Sequence, residues 1–293
     1  MARKRPAPLA GSTVVITGAG SGIGRALAQR LSAYGCPVAA ADANAETLAE
    51  TETLLDGPVL ARRLDVRDRQ GQLAFAAEVA EWAPAPIGAV FNNAGVAMTA
   101  TVAQTPPEDH DWVMQINFEG VVNGTRAFLP ILTRQGSGAI VNTSSVFGLV
   151  GIPYQGAYCA SKFAVRGFTE SLHNELRDTG VRAVSVHPGG IKTNIVRNAK
   201  LHEDWRGESR SDADLIDEFE TMAITTPQRA AEIIHRGVDA GRLRILVGPD
   251  AYVFDAVSRL APARGYAWLE RLENVAARAA GRRGLNEPGR ARP

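Results

Sequence analysis

Seven short runs of β-branched and small apolar residues recur along the chain: "STVVIT" (12–17), "PVAAAD" (37–42), "PVLARRLD" (58–65), "IGAVFN" (87–92), "GAIVNTS" (138–144), "VRAVSVH" (181–187) and "LRILVG" (243–248). Between most of them lie stretches whose apolar residues return at three and four, as in "GRALAQRLSAYG" and in residues 73–79, the spacing of an amphipathic helix. Repeated strand–helix–strand order restricts the chain to an α/β class with a mostly parallel sheet covered by helices on both faces. With 45% hydrophobic residues in 293, the core can be large. No repeat or low-complexity tract interrupts the rhythm, but two regions depart from it. Residues 194–224 read as a polar, helical insertion, and the stretch from 256 reads as an amphipathic helix, "YAWLERLENVAARAAG", before an Arg/Gly/Pro-rich end. The expected boundaries are a flexible basic tail at 1–9, one catalytic domain at 10–255, and a helix with a tail at 256–293, the helix packing on its own body or a neighbouring subunit rather than on a membrane or partner.

Charge and cysteine content narrow the function classes. Thirty-two basic residues stand against 31 acidic ones, a net charge of +1, which offers no field for nucleic acid or an anionic membrane. Two cysteines, Cys36 and Cys159, cannot form a disulfide framework, and no Cys/His cluster has metal spacing. The opening "MARKRPAPLAG" lacks the apolar stretch of a secretion signal, and no run reaches the ~18 apolar residues of a membrane span. These features lead to the expectation of a cytoplasmic protein without a bound metal, acting on a small molecule.

The turn after the first run, "TGAGSGIG" (17–24), leads directly into a helix near Ile23. Glycines there let the backbone approach a pyrophosphate, which the helix N-terminus can hold through its amides and dipole. Position after the first strand and before the first helix raises this loop above a chance glycine cluster. The second run ends at Asp42, eighteen residues beyond Gly24, where a carboxylate can accept hydrogen bonds from ribose hydroxyls and repel a 2′-phosphate. That favours NAD over NADP. An N-cap of the following helix is the alternative role for Asp42.

"YCASK" (158–162) places a phenol four residues before an ammonium, on one face of a helix. Free tyrosine titrates near ~10, and bringing it to about 7 takes roughly 4 kcal/mol of preferential phenolate stabilisation. A lysine one turn away supplies part of that field, so the pair can be a proton-transfer device.

"TGAGSGIG", "LDV", "NNAG", "NTSS" followed by "YCASK", and "HPGGIKT" stand in the order and approximate spacing of the short-chain dehydrogenase/reductase family, which the chain resembles over about residues 10–250. The resemblance implies a single Rossmann-like, doubly wound domain of about seven parallel strands. It further implies hydride transfer between a nicotinamide and a carbonyl or alcohol, in a homotetramer or homodimer. Cofactor contacts are implied for Gly18, Ser21, Gly22, Ile23 and Gly24 in the phosphate turn, Asp42 at the ribose, and Asp65 and Val66 at the adenine. The same holds for Asn92, Ala94 and Gly95 in the bracing motif, and for Pro188, Gly189, Ile191 and Thr193 beside the nicotinamide. Asn117, Ser145, Tyr158 and Lys162 match the catalytic set. In it Tyr158 moves the substrate proton, Ser145 holds the substrate oxygen, Lys162 tunes Tyr158 and binds ribose, and Asn117 holds a water next to Lys162. His187 reads as a strand-end residue, since a base is already provided.

Val146, Phe147, Tyr154, Gln155 and Gly190 form the expected substrate surroundings, a largely apolar wall with one amide. It suits a secondary alcohol or ketone on an aromatic, alicyclic or steroid-like body. Gln155 can bind a polar substrate group or simply face water at a helix start, and Lys192 and Arg197 keep an acidic substrate open. In "SDADLIDEFETMA", Ser211 and Asp214 have capping-box spacing, and Leu215, Phe219 and Met222 share one face. The expectation is a substrate lid over 194–224, with Phe219 and Met222 against the substrate, or else a face packed on the body or a neighbouring subunit.

Overall fold

All seven β-branched runs become strands of one parallel sheet in a computed structural model that describes residues 8–201 and 223–279. These are β1 (Thr13–Thr17), β2 (Val38–Asp42), β3 (Val59–Arg63), β4 (Ile87–Asn92), β6 (Gly138–Thr143), β7 (Val181–Pro188) and β9 (Arg244–Val247). Their order across the sheet is β3-β2-β1-β4-β6-β7-β9, with every neighbour parallel. The short runs are continuous in apolar residues because both faces are covered: Val14, Val15 and Ile16 are all fully buried. Val14 and Ile16 face α1 (Gly22–Ala33), α2 (Ala45–Glu52) and α7 (Pro227–Asp239), through Leu27, Leu31, Leu48 and Ile234. Val15 faces the other layer, where Phe75 of α3 (Arg69–Trp82), Phe128 of α5 (Gly120–Gln135) and Leu172 of α6 (Gly156–Glu175) pack together.

Sequence patterns account for most element ends. Asn44 caps α2 through the Glu46 and Thr47 amides, Asp68 caps α3, and Thr226 with Pro227 opens α7. Gly136 ends α5 in the left-handed conformation that a C-terminal glycine allows.

Three features were outside the sequence reading. Helix α4 (Pro107–Met114) runs into α5 through a π-helical turn, Gln115–Glu119. Two-residue strands β5 (Met98–Thr99) and β8 (Lys200–Leu201) pair with each other beside the main sheet. The Lys200 ammonium sits 4.6 Å from the Trp112 ring centroid and pairs with Asp109. So 194–201, expected to open a helical insertion, is a turn and a strand tied to residues 97–99 and α4. The third feature is that α8 (Pro249–Leu260) spans the expected boundary at 255/256. Its Val257, together with Leu269 of α9 (Gly265–Ala279), packs on Leu149 and Val150, so the C-terminal helices belong to the body. The capping box at Ser211 and Asp214, and the lid residues Leu215, Phe219 and Met222, lie outside the described residues.

Candidate active site

Strands β1 and β4 are neighbours whose following connections leave in opposite directions across the sheet, and a crevice opens beyond their C-terminal ends. Thr17 ends β1 and joins the two, its hydroxyl accepting the Asn93 and Ala94 amides at 3.1 and 3.3 Å. Gly18 adopts φ 67°, and a Cβ there would lie 2.7 Å from the Ala94 backbone. A Cβ on Gly24 would collide with the Gly18 carbonyl. Both glycines are therefore required by the turn.

Ser21 precedes α1 in extended conformation and makes no capping bond, unlike the residues that open α2, α3 and α7, so the α1 amides around Gly22 and Ile23 have no side-chain cap. Asp42, at the end of β2, accepts the Gly20 amide at 2.8 Å and the Asn44 amide at 2.9 Å. Since Asn44 is the cap of α2, the capping alternative for Asp42 falls away. Arg25, which sequence reasoning passed over, donates to the Gly20 and Thr47 carbonyls at 2.6 and 3.0 Å and so ties the turn to α2. Farther along the edge, Val66 is buried against Gly120, and the Arg67 guanidinium 2.6 Å from Asp65 holds its carboxyl below the usual range. An uncapped helix start, a glycine turn no Cβ could enter and a carboxylate at the rim fit the pyrophosphate and ribose of a dinucleotide.

Lys162 brings the rest of the site together. Its ammonium donates to the Thr143 carbonyl at 3.0 Å, lies 5.6 Å from the Tyr158 ring centroid, and would be 3.4 Å from a Cβ on Gly95. Burial pulls it down to about 8, so it is still charged at neutral pH. Ser145 lies beside the Tyr158 phenol and favours its charged form. Burial pushes the phenol up to about 12, with Ser145 opposing, so the Lys162 charge is only part of the field that a phenolate here needs. Ser145 ends the strand segment in extended conformation, its hydroxyl accepting the Phe147 amide at 3.2 Å. Its neighbour Ser144 points elsewhere, donating to the Lys162 carbonyl at 2.7 Å.

Asn117 sits in the π-helical turn, fully buried, with Oδ1 accepting the Val96 amide at 2.8 Å. Its Nδ2 donates to the Val96 carbonyl at 3.0 Å and to Ser161 at 3.2 Å. A water held here would have to use an acceptor position these bonds leave open. Asn92 is a strand brace: its amide donates to Asn142 at 2.9 Å and Thr125 at 3.3 Å, so it shapes the edge where Ala94 and Gly95 lie from beneath.

The walls come from several elements. Pro188 is buried at the end of β7, and the Gly190 amide donates to Asp250 at 2.7 Å. That carboxylate occupies the space a Cβ on Gly189 would take. Ile191 bridges to Thr225, and Thr193 reaches the phosphate turn, 3.1 Å from where Gly22 would carry a Cβ. Phe147 meets Tyr158 edge-on, centroids 6.0 Å apart, and Phe254 of α8 lies 6.1 Å beyond it. Tyr154 is exposed and has φ 63°, a left-handed backbone rare for a bulky residue. Gln155 is half-buried at the start of α6 and donates to Thr99 at 2.9 Å. Asp250 and Phe254 escaped the sequence reading. Their spacing, one turn apart after a strand-ending "VGP", was the available signal.

Comparison with known proteins agrees with this geometry. The profile of the short chain dehydrogenase family matches residues 12–204. SadH of Mycobacterium tuberculosis, named as an oxidoreductase without a stated substrate, is 43% identical over 257 residues, covering 85% of this chain and 91% of its own. A short-chain dehydrogenase/reductase from Burkholderia phymatum, solved in complex with NAD, superposes with a TM-score of 0.77 at 28% identity, covering 96% of this chain and 99% of that one. Another from Burkholderia cenocepacia, in complex with NADP, gives 0.73 at 25% identity over 89% and 98%. The chain is an oxidoreductase of the short-chain dehydrogenase/reductase family.

Proposed function

We propose that this chain interconverts a secondary alcohol and a ketone on a hydrophobic, aromatic, alicyclic or steroid-like body, with NAD as the preferred cofactor. The reading rests first on Tyr158 with Ser145 and the Lys162 ammonium beside its phenol, at the edge where the glycine turn and Asp42 lie. Bound along that edge, the nicotinamide dinucleotide supplies the hydride acceptor or donor. Gly18, Ser21, Gly22, Ile23 and Gly24 would hold its pyrophosphate and Asp42 its ribose. Asp65 and Val66 would flank the adenine. Ala94 and Gly95, braced by Asn92, and Pro188, Gly189, Ile191 and Thr193 would enclose the nicotinamide half.

Tyr158 takes the proton from an alcohol oxygen and returns it to a ketone oxygen. Ser145 holds that oxygen with a bond that strengthens as charge develops. Lys162 places a positive charge beside the phenol and reaches the ribose, and Asn117 fixes the Val96 backbone and Ser161 around it. Phe147, Tyr154, Gln155 and Gly190 would contact the substrate, a list to which Phe254 is added; Phe219 and Met222 keep the lid role expected of them. Two free, buried cysteines accord with a cytoplasmic protein, and a homodimer or homotetramer is the assembly in keeping with the family.

A second reading, an NADPH-dependent ketone reductase, draws on one observation. Arg63 pairs in register with Asp42, is exposed, and donates to the Ala43 carbonyl at 3.3 Å, beside the rim where a 2′-phosphate would lie. Steady-state rates with a panel of secondary alcohols and ketones, using NAD and NADP in both directions, separate the two. NAD should give the higher kcat/KM, and Asp42→Ala should narrow the difference; NADP used as efficiently as NAD by the wild-type protein would favour the second reading.

A further inference from the structure

His187 is fully buried at the end of β7, yet the proton transfer described above gives it no part. Its ring makes two short contacts: Nδ1 is 3.1 Å from the main-chain carbonyl of Ser145, and Nε2 is 2.9 Å from the Ser185 hydroxyl. A carbonyl can only accept, so Nδ1 carries the proton and, in the neutral ring, Nε2 accepts from Ser185. Burial keeps the ring neutral, lowering it to about 4 from an ordinary 6.5.

The contacts fall where the sheet stops supplying backbone donors. The β6–β7 ladder is paired through Thr143 and Val186 and continues with the Ser144 amide on the Val186 carbonyl at 2.8 Å. The next residue but one on β7 is Pro188, which has no N–H. Immediately past the last ladder pair, the side chain of His187 provides the donor that anchors the Ser145 peptide. The hydroxyl of the same residue accepts the Phe147 amide and meets Tyr158.

We propose that His187 is a positioning residue for the reaction: its Nδ1–H, oriented by Ser185, anchors the Ser145 carbonyl so that the Ser145 hydroxyl stays aimed at the substrate oxygen and Tyr158. This rests on Ser145 and Tyr158 being the reacting pair, and the test separates the two ideas. His187→Leu, His187→Asn, Ser185→Ala and Tyr158→Phe are compared with wild type in NADH-dependent reduction of acetophenone, cyclohexanone and menthone. NADH affinity and melting temperature are followed in parallel, and the imidazole resonances of nitrogen-labelled wild-type protein are recorded. Misaiming a reacting group by a fraction of its bond length lowers kcat rather than binding, so His187→Leu should lose about a hundredfold in kcat with NADH affinity unchanged. The Asn side chain can present an N–H close to where Nδ1 lies, so His187→Asn should recover most of that loss. Ser185→Ala should fall in between. The resonances of wild type should show a neutral ring protonated at Nδ1, an observation that needs no turnover.

A ring protonated at Nε2 overturns the proposal, as does His187→Leu with wild-type kcat. So does an equal loss in the Leu and Asn variants that tracks melting temperature, the behaviour of a residue that only fills space. If Tyr158→Phe retains turnover, the reacting pair itself is misassigned and the role of His187 in this reaction goes with it. If Tyr158→Phe is inactive while His187→Leu is normal, only the His187 proposal fails.

Discussion

Two opposed environments meet at Tyr158. Burial raises the phenol to about 12 while Ser145 stabilises its charged form, and Lys162 next to it is lowered to about 8 by the same burial. The signs decide a pH profile. Ketone reduction consumes the phenol proton, which a raised pKa retains, so its kcat/KM should hold from mildly acid through neutral pH. Alcohol oxidation needs the phenolate, so its kcat/KM should climb as pH rises above neutral. The Lys162 charge is lost as pH passes about 8, and reduction should weaken there through poorer cofactor binding. Initial rates in both directions across pH check this; a reduction rate already falling between mildly acid and neutral pH would contradict it. Asn117 and His187 would act differently, through buried hydrogen bonds to the backbone of their neighbours rather than by titrating.

At the level of elements, α8 touches both the Gly190 backbone and Phe147, and so joins the cofactor and substrate sides of the proposed site. Asp250, in its first turn, accepts the Gly190 amide, and Phe254, one turn later, stacks beyond Phe147. Removing the part-buried acceptor in Asp250→Ala should weaken NADH binding by about 1–3 kcal/mol, the cost of an unmade bond to a charged group. Asp250→Asn, which keeps an acceptor, should stay close to wild type. Titration of NADH fluorescence measures both, and equal behaviour of the two variants would remove Asp250 from the nicotinamide wall. Elements whose signal is local were legible in the sequence. The central strands are short apolar runs because the sheet is covered on both faces, and the glycine turn, Asp42 and the Tyr158–Lys162 spacing are properties of short segments. Features that depend on tertiary contacts were not. In the π-helical turn the Asn117 amide pairs with the Val96 backbone, a contact distant in sequence. Gln155 finds Thr99 only because β5 runs beside the start of α6. The one-turn spacing of Asp250 and Phe254 hints at a shared helix face, but not that this face lies against residues 147 and 190.

On the scale of the whole molecule, the proposed site gathers around the C-terminal edge of one parallel sheet, and the helices after β9 pack on the body. Leu269 of α9 is buried with Leu149, Val150 and Val257, just behind the segment that carries Ser145 and Phe147. Leu269→Ala should therefore destabilise the fold by about 2–5 kcal/mol. NADH affinity of the folded fraction should be unchanged. Denaturant melts read this, and an unaltered midpoint would return α9 to the status of an appendage. Among the described residues no helix is long and apolar enough to cross a membrane, and no group of His, Cys, Asp and Glu could hold a metal ion. The central claim is that Tyr158 carries the proton while the glycine turn and Asp42 hold the cofactor independently of it. It is tested most directly by measuring NADH binding and NADH-dependent ketone reduction side by side in wild-type protein and Tyr158→Phe. The account predicts that the variant binds NADH within a few-fold of wild type, since little volume is lost, and that its turnover is abolished. Substantial turnover in pure Tyr158→Phe protein would contradict it.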